Sequence, residues 1–128
     1  MSGRVVHFEI PFDDGERARA FYRAAFGWDI QEMPELGYTS VRTGPANEDG
    51  FPAEPGYIGG GMMAREASLP APVVTVDTDD MDDALARVVE LGGEVVIGRT
   101  AVADMGYAAY FRDTEGNVMG LWQDAPSG

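Results

Sequence analysis

The side chains best suited to chemistry in this sequence are His7 and Glu9, two residues apart near the N-terminus. Residues 5–10 alternate between two sets as a half-buried strand does, so both side chains are expected on one sheet face. An imidazole can act as a general base or bind a metal ion, and a carboxylate can do the same. His7 is the only histidine of the chain, so a metal site would need ligands of other types.

Several other chemistries are excluded by composition and by local context. The chain contains no cysteine, which excludes disulfides, thiolate catalysis and cysteine-based zinc or iron–sulfur sites. The three glycines at 59–61 do not form a phosphate loop, because no lysine follows them and no helix begins there. Glycines inside a strand indicate instead a bulge, tight packing, or close approach by backbone or ligand.

The charge balance argues against two classes of partner. There are 22 acidic and 9 basic residues, for a formal net charge of −13, whereas nucleic acids and anionic membranes require a cationic face. No apolar run approaches the roughly 20 residues that span a bilayer. The first residues also lack the basic-then-apolar layout of a signal peptide, so a cytoplasmic location is expected.

Two amphipathic segments predict helices near 15–26 and 80–91, each with apolar residues at i, i+3, i+4, i+7 and i+8. Strands are predicted at 5–10, 28–33, 38–43, 57–64, 72–77, 94–97, 105–112 and 118–123. A long loop rich in proline, glycine and acid covers 44–56, and a loop of this length is either mobile or functional.

The segment 4–30 recurs later in the chain, displaced by 66 positions (79 − 13 = 66), so that Asp13 meets Asp79 and Gly27 meets Gly93. Each copy reads strand, helix and three further strands, which predicts an α+β fold of two βαβββ modules. We place the first module at 4–64, a linker at 65–71 and the second module at 72–124, within a single domain covering 1–128. One helix covers one face of each four-stranded module, so the other face must be covered by the other half, a partner chain or a ligand.

These features resemble the vicinal oxygen chelate superfamily, which includes glyoxalase I, extradiol dioxygenases and bleomycin-resistance-type binding proteins. The motifs that carry the resemblance are His7 with residues 11–14 (PFDD), 20–22 (AFY) and 26–28 (FGW), then 79–82 (DDMD), 91–93 (LGG) and the turn at 111–118 (FRDTEGNV). The resemblance implies an eight-stranded half-open cup, with chemistry inside it on a metal held by His, Gln and Glu. Because this fold hosts many functions, it does not by itself fix the activity.

The family's metal positions map poorly onto this chain. Its first-strand position in the first module matches His7, and the corresponding position of the second module matches Val73. The last-strand position matches Gly120, and the fourth lies in the run 58–62, which offers no good ligand. We therefore predict no metal and no cofactor. For His7 three roles stay open: a metal ligand with Glu9, a hydrogen-bonding or general-base residue of a pocket, and a purely structural residue.

Alternation along the strands predicts which side chains would line the cup. The resulting pocket is aromatic and apolar with a few polar groups, which suits an organic ligand; each aromatic could equally belong to the core. No catalytic residue is assigned. The predicted pocket residues are His7, Glu9, Trp28, Tyr38, Met62, Thr75, Tyr107, Gly120 and Trp122.

The function expected from this set is metal-free binding of a small organic ligand, in the manner of the glyoxalase/bleomycin-resistance type. The alternative is an enzyme of the superfamily, a glyoxalase-like lyase or isomerase or a dioxygenase, that uses His7 or Glu9 with or without a metal. A third possibility is a module that acts only through contact with other proteins. A homodimer is also expected, because exposed apolar strand edges favour pairing between copies.

Overall fold

The computed structural model describes residues 3–48 and 52–126, which form eight β-strands and two α-helices. A short 3₁₀ helix, Pro34–Leu36, connects the second and third strands. The elements, in chain order, are β1 (Val5–Phe12), α1 (Gly15–Phe26), β2 (Asp29–Met33), β3 (Tyr38–Arg42), β4 (Gly60–Ala64), β5 (Val73–Asp77), α2 (Met81–Glu90), β6 (Glu94–Val102), β7 (Gly106–Arg112) and β8 (Val118–Asp124).

The strands form a mixed sheet in the order β2-β3-β4-β1-β5-β8-β7-β6. In the first half β1 is parallel to β4, while β2·β3 and β3·β4 are antiparallel. In the second half β5 is parallel to β8, while β6·β7 and β7·β8 are antiparallel. The two halves therefore share one topology, which confirms the predicted α+β class, the eight strands and the βαβββ repeat.

The described residues divide into two compact units, one within residues 7–72 and the other formed by 3–6 and 73–126. We call them the first unit and the second unit. Residues 65–71, predicted as a linker, lie in the first unit, where Leu69 is buried and the Arg65 backbone donates to the carbonyl of Phe12 at 2.8 Å. Residues 3 and 4 lie in the second unit, where the backbone of Gly3 donates to the carbonyl of Asp77 at 2.8 Å.

Both helices begin directly after an aspartate that caps them. The Asp14 carboxylate accepts from the backbone of Arg17 at 3.0 Å, and the Asp80 carboxylate accepts from the backbone of Asp83 at 3.0 Å. An N-cap carboxylate satisfies a free amide of the first turn and complements the helix dipole. Helix α1 ends at Gly27, which takes the left-handed conformation with φ of 70° that terminates many helices.

Each unit has a core between its helix and one face of its strands. In the first unit Ile30, Val41 and Met62 are buried, with residues of α1 and β1 packed against them. In the second unit the buried set is Met81, Ala109 and Leu121. The opposite face of each group of strands is thereby free to carry polar side chains. Among the described residues, no helix has the length and apolar character to cross a membrane.

Candidate functional site

A chain of side-chain hydrogen bonds links the two residues singled out from the sequence. The Tyr38 hydroxyl donates to the Glu9 carboxylate at 2.7 Å and lies 2.8 Å from Nε2 of His7. The rings of His7 and Tyr38 are nearly parallel, with an interplanar angle of 20°. All three residues belong to the first unit, so the sequence prediction brought together three members of one polar cluster.

The direction of these bonds determines the form of the imidazole. A phenol has a single proton, and here it is donated to Glu9. The contact with His7 must then be a bond in which Nε2–H donates to the Tyr38 oxygen. In the neutral ring the lone pair consequently resides on Nδ1, the ring nitrogen that is not bonded to Tyr38.

The pKa of His7 lies below its ordinary value of 6.5, because burial penalises the charged imidazolium. The negative charge of Glu9 opposes this effect and raises the pKa, but to a smaller extent. Near neutral pH the ring is therefore uncharged. A neutral imidazole can accept a proton or a hydrogen bond from a ligand, which an imidazolium cannot do.

The glycine at position 61 explains how Tyr38 reaches both partners. Gly61 pairs with Glu9 on β1 and with Ser40 on β3. A side chain at position 61 would therefore stand between the polar residues of β1 and those of β3. A Cβ added to Gly61 would overlap the hydroxyl and ring of Tyr38. The strand glycine thus marks tight packing against a side chain, one of the interpretations that the sequence left open.

The same sheet face carries two further polar residues that the sequence analysis missed. Ser40 and Arg42 alternate with the buried Thr39 and Val41 along β3 and hence share the face of Tyr38. The signal for them was present in the sequence as the period-two pattern of residues 38–42.

Two predicted pocket residues of the first unit lie on the other face. Trp28 stacks on Tyr22 of α1 at a centroid distance of 4.9 Å, and Met62 is completely buried beneath the same helix. Met62 pairs with Ile10 rather than with Glu9, which places it on the helix side by strand alternation. It lines a separate cleft of about 330 Å³, together with Phe12, Phe21 and other residues of α1 and β1.

The second unit brings three of the four residues predicted there to one face. Thr75 pairs with Gly120, and Trp122 follows two residues later on the same strand. Tyr107 lies on the opposite face, against the core of Met81 and its neighbours, because it is one position out of phase with this set. Tyr110, which pairs with Gly120, occupies the face instead and was missed because the phase of β7 could not be fixed from the sequence.

Residues 4–44 match a family model described as bleomycin resistance protein-like N-terminal. The chain is 30% identical over 120 residues to the glyoxylase candidate CFP32 of Mycobacterium bovis, an alignment that covers 90% of this chain. It spans 43% of that relative's length. It is also 28% identical to a glyoxylase-like domain-containing protein of Didymella fabae, with 92% of this chain and 91% of that protein covered.

Solved structures match over almost the whole length. A methylmalonyl-CoA epimerase variant of Streptomyces coelicolor, in complex with 2-nitronate-propionyl-CoA, superimposes with a TM-score of 0.65 at 19% identity, covering 98% of this chain and 100% of that one. The epimerase of Mycobacterium tuberculosis gives a TM-score of 0.60 at 16% identity, covering 97% of this chain and 89% of that one. These solved structures share the open eight-stranded mixed sheet with two helices. At these identities the structures establish the fold alone.

The residues at the metal positions that the sequence resemblance implies do not fit a bound metal ion. Gly120 has no side chain, Val73 has no donor atom and the run 58–62 offers no good ligand, which leaves His7 alone. Both His7 and the nearby Glu9 are already hydrogen-bonded to Tyr38. Across residues 3–48 and 52–126, no group of three or more His, Cys, Asp or Glu side chains could hold a metal ion.

Lowering the pH below about 6.5 is expected to destabilise the protein through His7. Because the folded state lowers the pKa of His7, the contribution of the neutral ring is complete above its ordinary value of 6.5 and is lost as pH falls through the folded pKa. Urea unfolding of the parent and of His7→Gln is measured from neutral pH to about pH 5. The difference between the two proteins isolates the contribution of His7, because both share the pH dependence of the many carboxylates. The parent should lose more stability than the variant, and equal losses in the two proteins would contradict the assignment.

Proposed function

We propose that this protein binds a small organic ligand on the sheet face that carries His7, Tyr38 and Glu9, without a transition metal. The ligand's polar atoms interact with this hydrogen-bonded cluster and its apolar part lies against neighbouring side chains. The protein works as a homodimer in the cytoplasm on this proposal. No catalytic step is needed for such a function, since sequestration requires only shape and a few polar contacts.

The observation that carries the proposal is the burial of Glu9, an acidic residue, in the middle of a strand. Glu9 is 7% exposed, and a charged group in such a position reduces stability unless polar partners compensate for its lost hydration. An apolar residue there would serve the sheet equally well or better. A cluster that is costly for the fold, and that includes a basic imidazole nitrogen, is typical of a binding or active site.

Relatives of the same fold support a ligand of small organic type. Streptomyces coelicolor methylmalonyl-CoA epimerase has been solved with 2-nitronate-propionyl-CoA, and a methylmalonyl-CoA epimerase with methylmalonyl-CoA. The family model that matches residues 4–44 is named for bleomycin resistance. These ligands differ widely in chemistry, so they favour the class of small organic molecules rather than any single compound.

A screen of small organic compounds by protein-observed NMR tests the proposal. Compounds that bind should shift the imidazole signals of His7, which are unambiguous because the chain has a single histidine. Glu9→Gln keeps the shape of the side chain and removes its charge. It should lower the affinity for those compounds by about tenfold or more. Binding that leaves His7 unperturbed and is indifferent to Glu9→Gln would contradict the proposed site.

Metal removal should leave ligand binding and stability unchanged. The cluster offers two side chains of metal-ligating type, His7 and Glu9, which is fewer than zinc requires. We expect the purified protein to contain less than one equivalent of zinc, nickel, iron or manganese by elemental analysis. Affinity and melting temperature should be the same with a chelator and with added metal, and no glyoxalase I activity should appear. One tightly held equivalent per chain, lost in His7→Ala, would overturn the metal-free reading.

A second candidate function is proton transfer at an acidic carbon of the bound molecule. It is favoured by one observation, the neutral imidazole of His7 connected through Tyr38 to a carboxylate, since such a pair can exchange a proton with a ligand. Several matched structures are epimerases by name. Incubation of a bound carbonyl compound in deuterated water distinguishes the two functions. Exchange of its α-hydrogen that is lost in His7→Gln supports catalysis, whereas binding without exchange supports sequestration alone.

A further inference from the structure

We propose that Arg42 forms an anion subsite beside His7, so that the ligand is a small organic acid whose carboxylate is bound by the Arg42 guanidinium. This inference rests on the proposed function, because it concerns the same face of the first unit, and it specifies the chemical class of the ligand. A carboxylate is the group that a planar guanidinium recognises best, through two parallel N–H···O bonds.

The first observation is that Arg42 is half-buried and yet has no partner. Within the part of the chain that the structure describes, its guanidinium makes no ion pair and no hydrogen bond. Asp29 stands opposite it on β2, but the two do not approach to ion-pair distance. The formal net charge of the chain is −13, so acidic side chains are abundant. Arg42 nevertheless forms no ion pair with Asp29, and its guanidinium is therefore available to a ligand.

The second observation is the space next to Arg42. Continuing the register of β3 and β4 by one residue beyond the Val41–Gly60 pair places Arg42 opposite Gly59. Continuing the register of β1 and β4 by two residues from the Glu9–Gly61 pair places His7 opposite Gly59 as well. Among the described residues, a Cβ built on Gly59 would have one neighbour within 4 Å, the backbone oxygen of Val41 at 3.2 Å.

These positions define a gap between a cation and a neutral imidazole. Adjacent strands are about 4.8 Å apart, so Arg42 and His7 are on backbones separated by about 10 Å with only a glycine between them. A carboxylate held by Arg42 would leave the next one or two atoms of the acid within reach of the His7 ring and the Tyr38 hydroxyl. Ser40, half-buried on the same face and next along β3, provides a further hydrogen-bonding group beside the acid.

Matched acid and amide probes test this subsite. Benzoate is compared with benzamide and mandelate with mandelamide, and binding to the full chain is followed by the imidazole signals of His7 and by titration calorimetry. The acid of each pair should bind about tenfold or more tightly than its amide, because bonds to a charged group are the stronger. Arg42→Gln should abolish that preference, while Arg42→Lys should retain part of it as a point charge without the planar fork.

Arg87→Gln is the matched control, since it removes the same charge from an exposed position on α2. It should leave the preference unchanged, and thermal melting should show all three variants folded. Equal binding of acid and amide, or a preference that survives Arg42→Gln, would overturn the subsite while leaving the proposed function intact if Glu9→Gln still weakens both probes. Failure of all four probes to shift the His7 signals at millimolar concentration would contradict the subsite and count against the proposed function too.

Discussion

Gly61→Ala is expected to lower the free energy of unfolding by roughly 2–4 kcal/mol, from the cost of overpacking together with the loss of buried hydrogen bonds. The added methyl group would occupy the position of the Tyr38 hydroxyl and ring, so Tyr38 would have to leave. Its departure removes the donor to Glu9 and the acceptor for His7. Denaturant unfolding measures the loss, and ligand affinity should fall with it.

Gly98→Ala provides the control for Gly61→Ala. Gly98 also lies in a strand, but nothing stands within 4 Å of a Cβ built on it. The substitution should be neutral or slightly stabilising, since alanine restricts the unfolded chain without meeting a neighbour. If the two variants unfold at the same denaturant concentration, the close approach of Tyr38 to Gly61 is wrong.

Tyr38→Phe is expected to cost about 1–3 kcal/mol of stability, which is the typical penalty for removing one partner of buried polar groups. The ring and its packing are kept, and only the hydroxyl that joins His7 to Glu9 is lost. The affinity for the ligand should fall by about tenfold or more if His7, Tyr38 and Glu9 recognise it together. Denaturant unfolding and calorimetric titration of the variant check the two expectations.

Tyr57→Phe removes a hydroxyl in a different environment and serves as the comparison. The Tyr57 hydroxyl accepts a longer bond of 3.2 Å from the exposed backbone of Ala53. Such a bond exchanges readily with water, so its removal should cost no more than a few tenths of a kcal/mol. Equal effects of Tyr38→Phe and Tyr57→Phe on stability and on ligand affinity would show that the cluster has no special role.

The fold was predictable because its signals are periodic and local. Each helix is marked by an apolar stripe, by aspartates before it and by a glycine after it, all within a few residues of one another. These local signals were sufficient to locate α1 and α2. Boundaries were less accurate where tertiary contacts decide them. Strand β6 runs to Val102 with register shifts after Val95 and Ile97, and these irregularities break the alternation from which its end would be read.

The site was predictable only in part because it depends on which strands are neighbours. His7 and Glu9 share a strand, so their common face follows from alternation alone. The bond to Tyr38 requires β3 and β1 to lie on either side of β4 and requires Gly61 between them, which a sequence does not specify. Trp28 and Tyr107 were assigned by residue type without a known phase, and both lie on helix-facing surfaces. Residues 49–51 of the loop 44–56 lie outside the described residues. The role of this loop stays a prediction.

The nitrogen NMR signals of His7 test the central claim most directly, because the chain has one histidine and each ring nitrogen reports its own protonation. At neutral pH we predict a neutral ring protonated at Nε2, with Nδ1 unprotonated and with no change on addition of zinc. A bound organic acid should shift both nitrogens, and Tyr38→Phe should remove the bias toward the Nε2–H form. A ring protonated at Nδ1, or one whose nitrogen is captured by a single equivalent of zinc, would contradict a metal-free site built on the bonds from His7 to Tyr38 and from Tyr38 to Glu9.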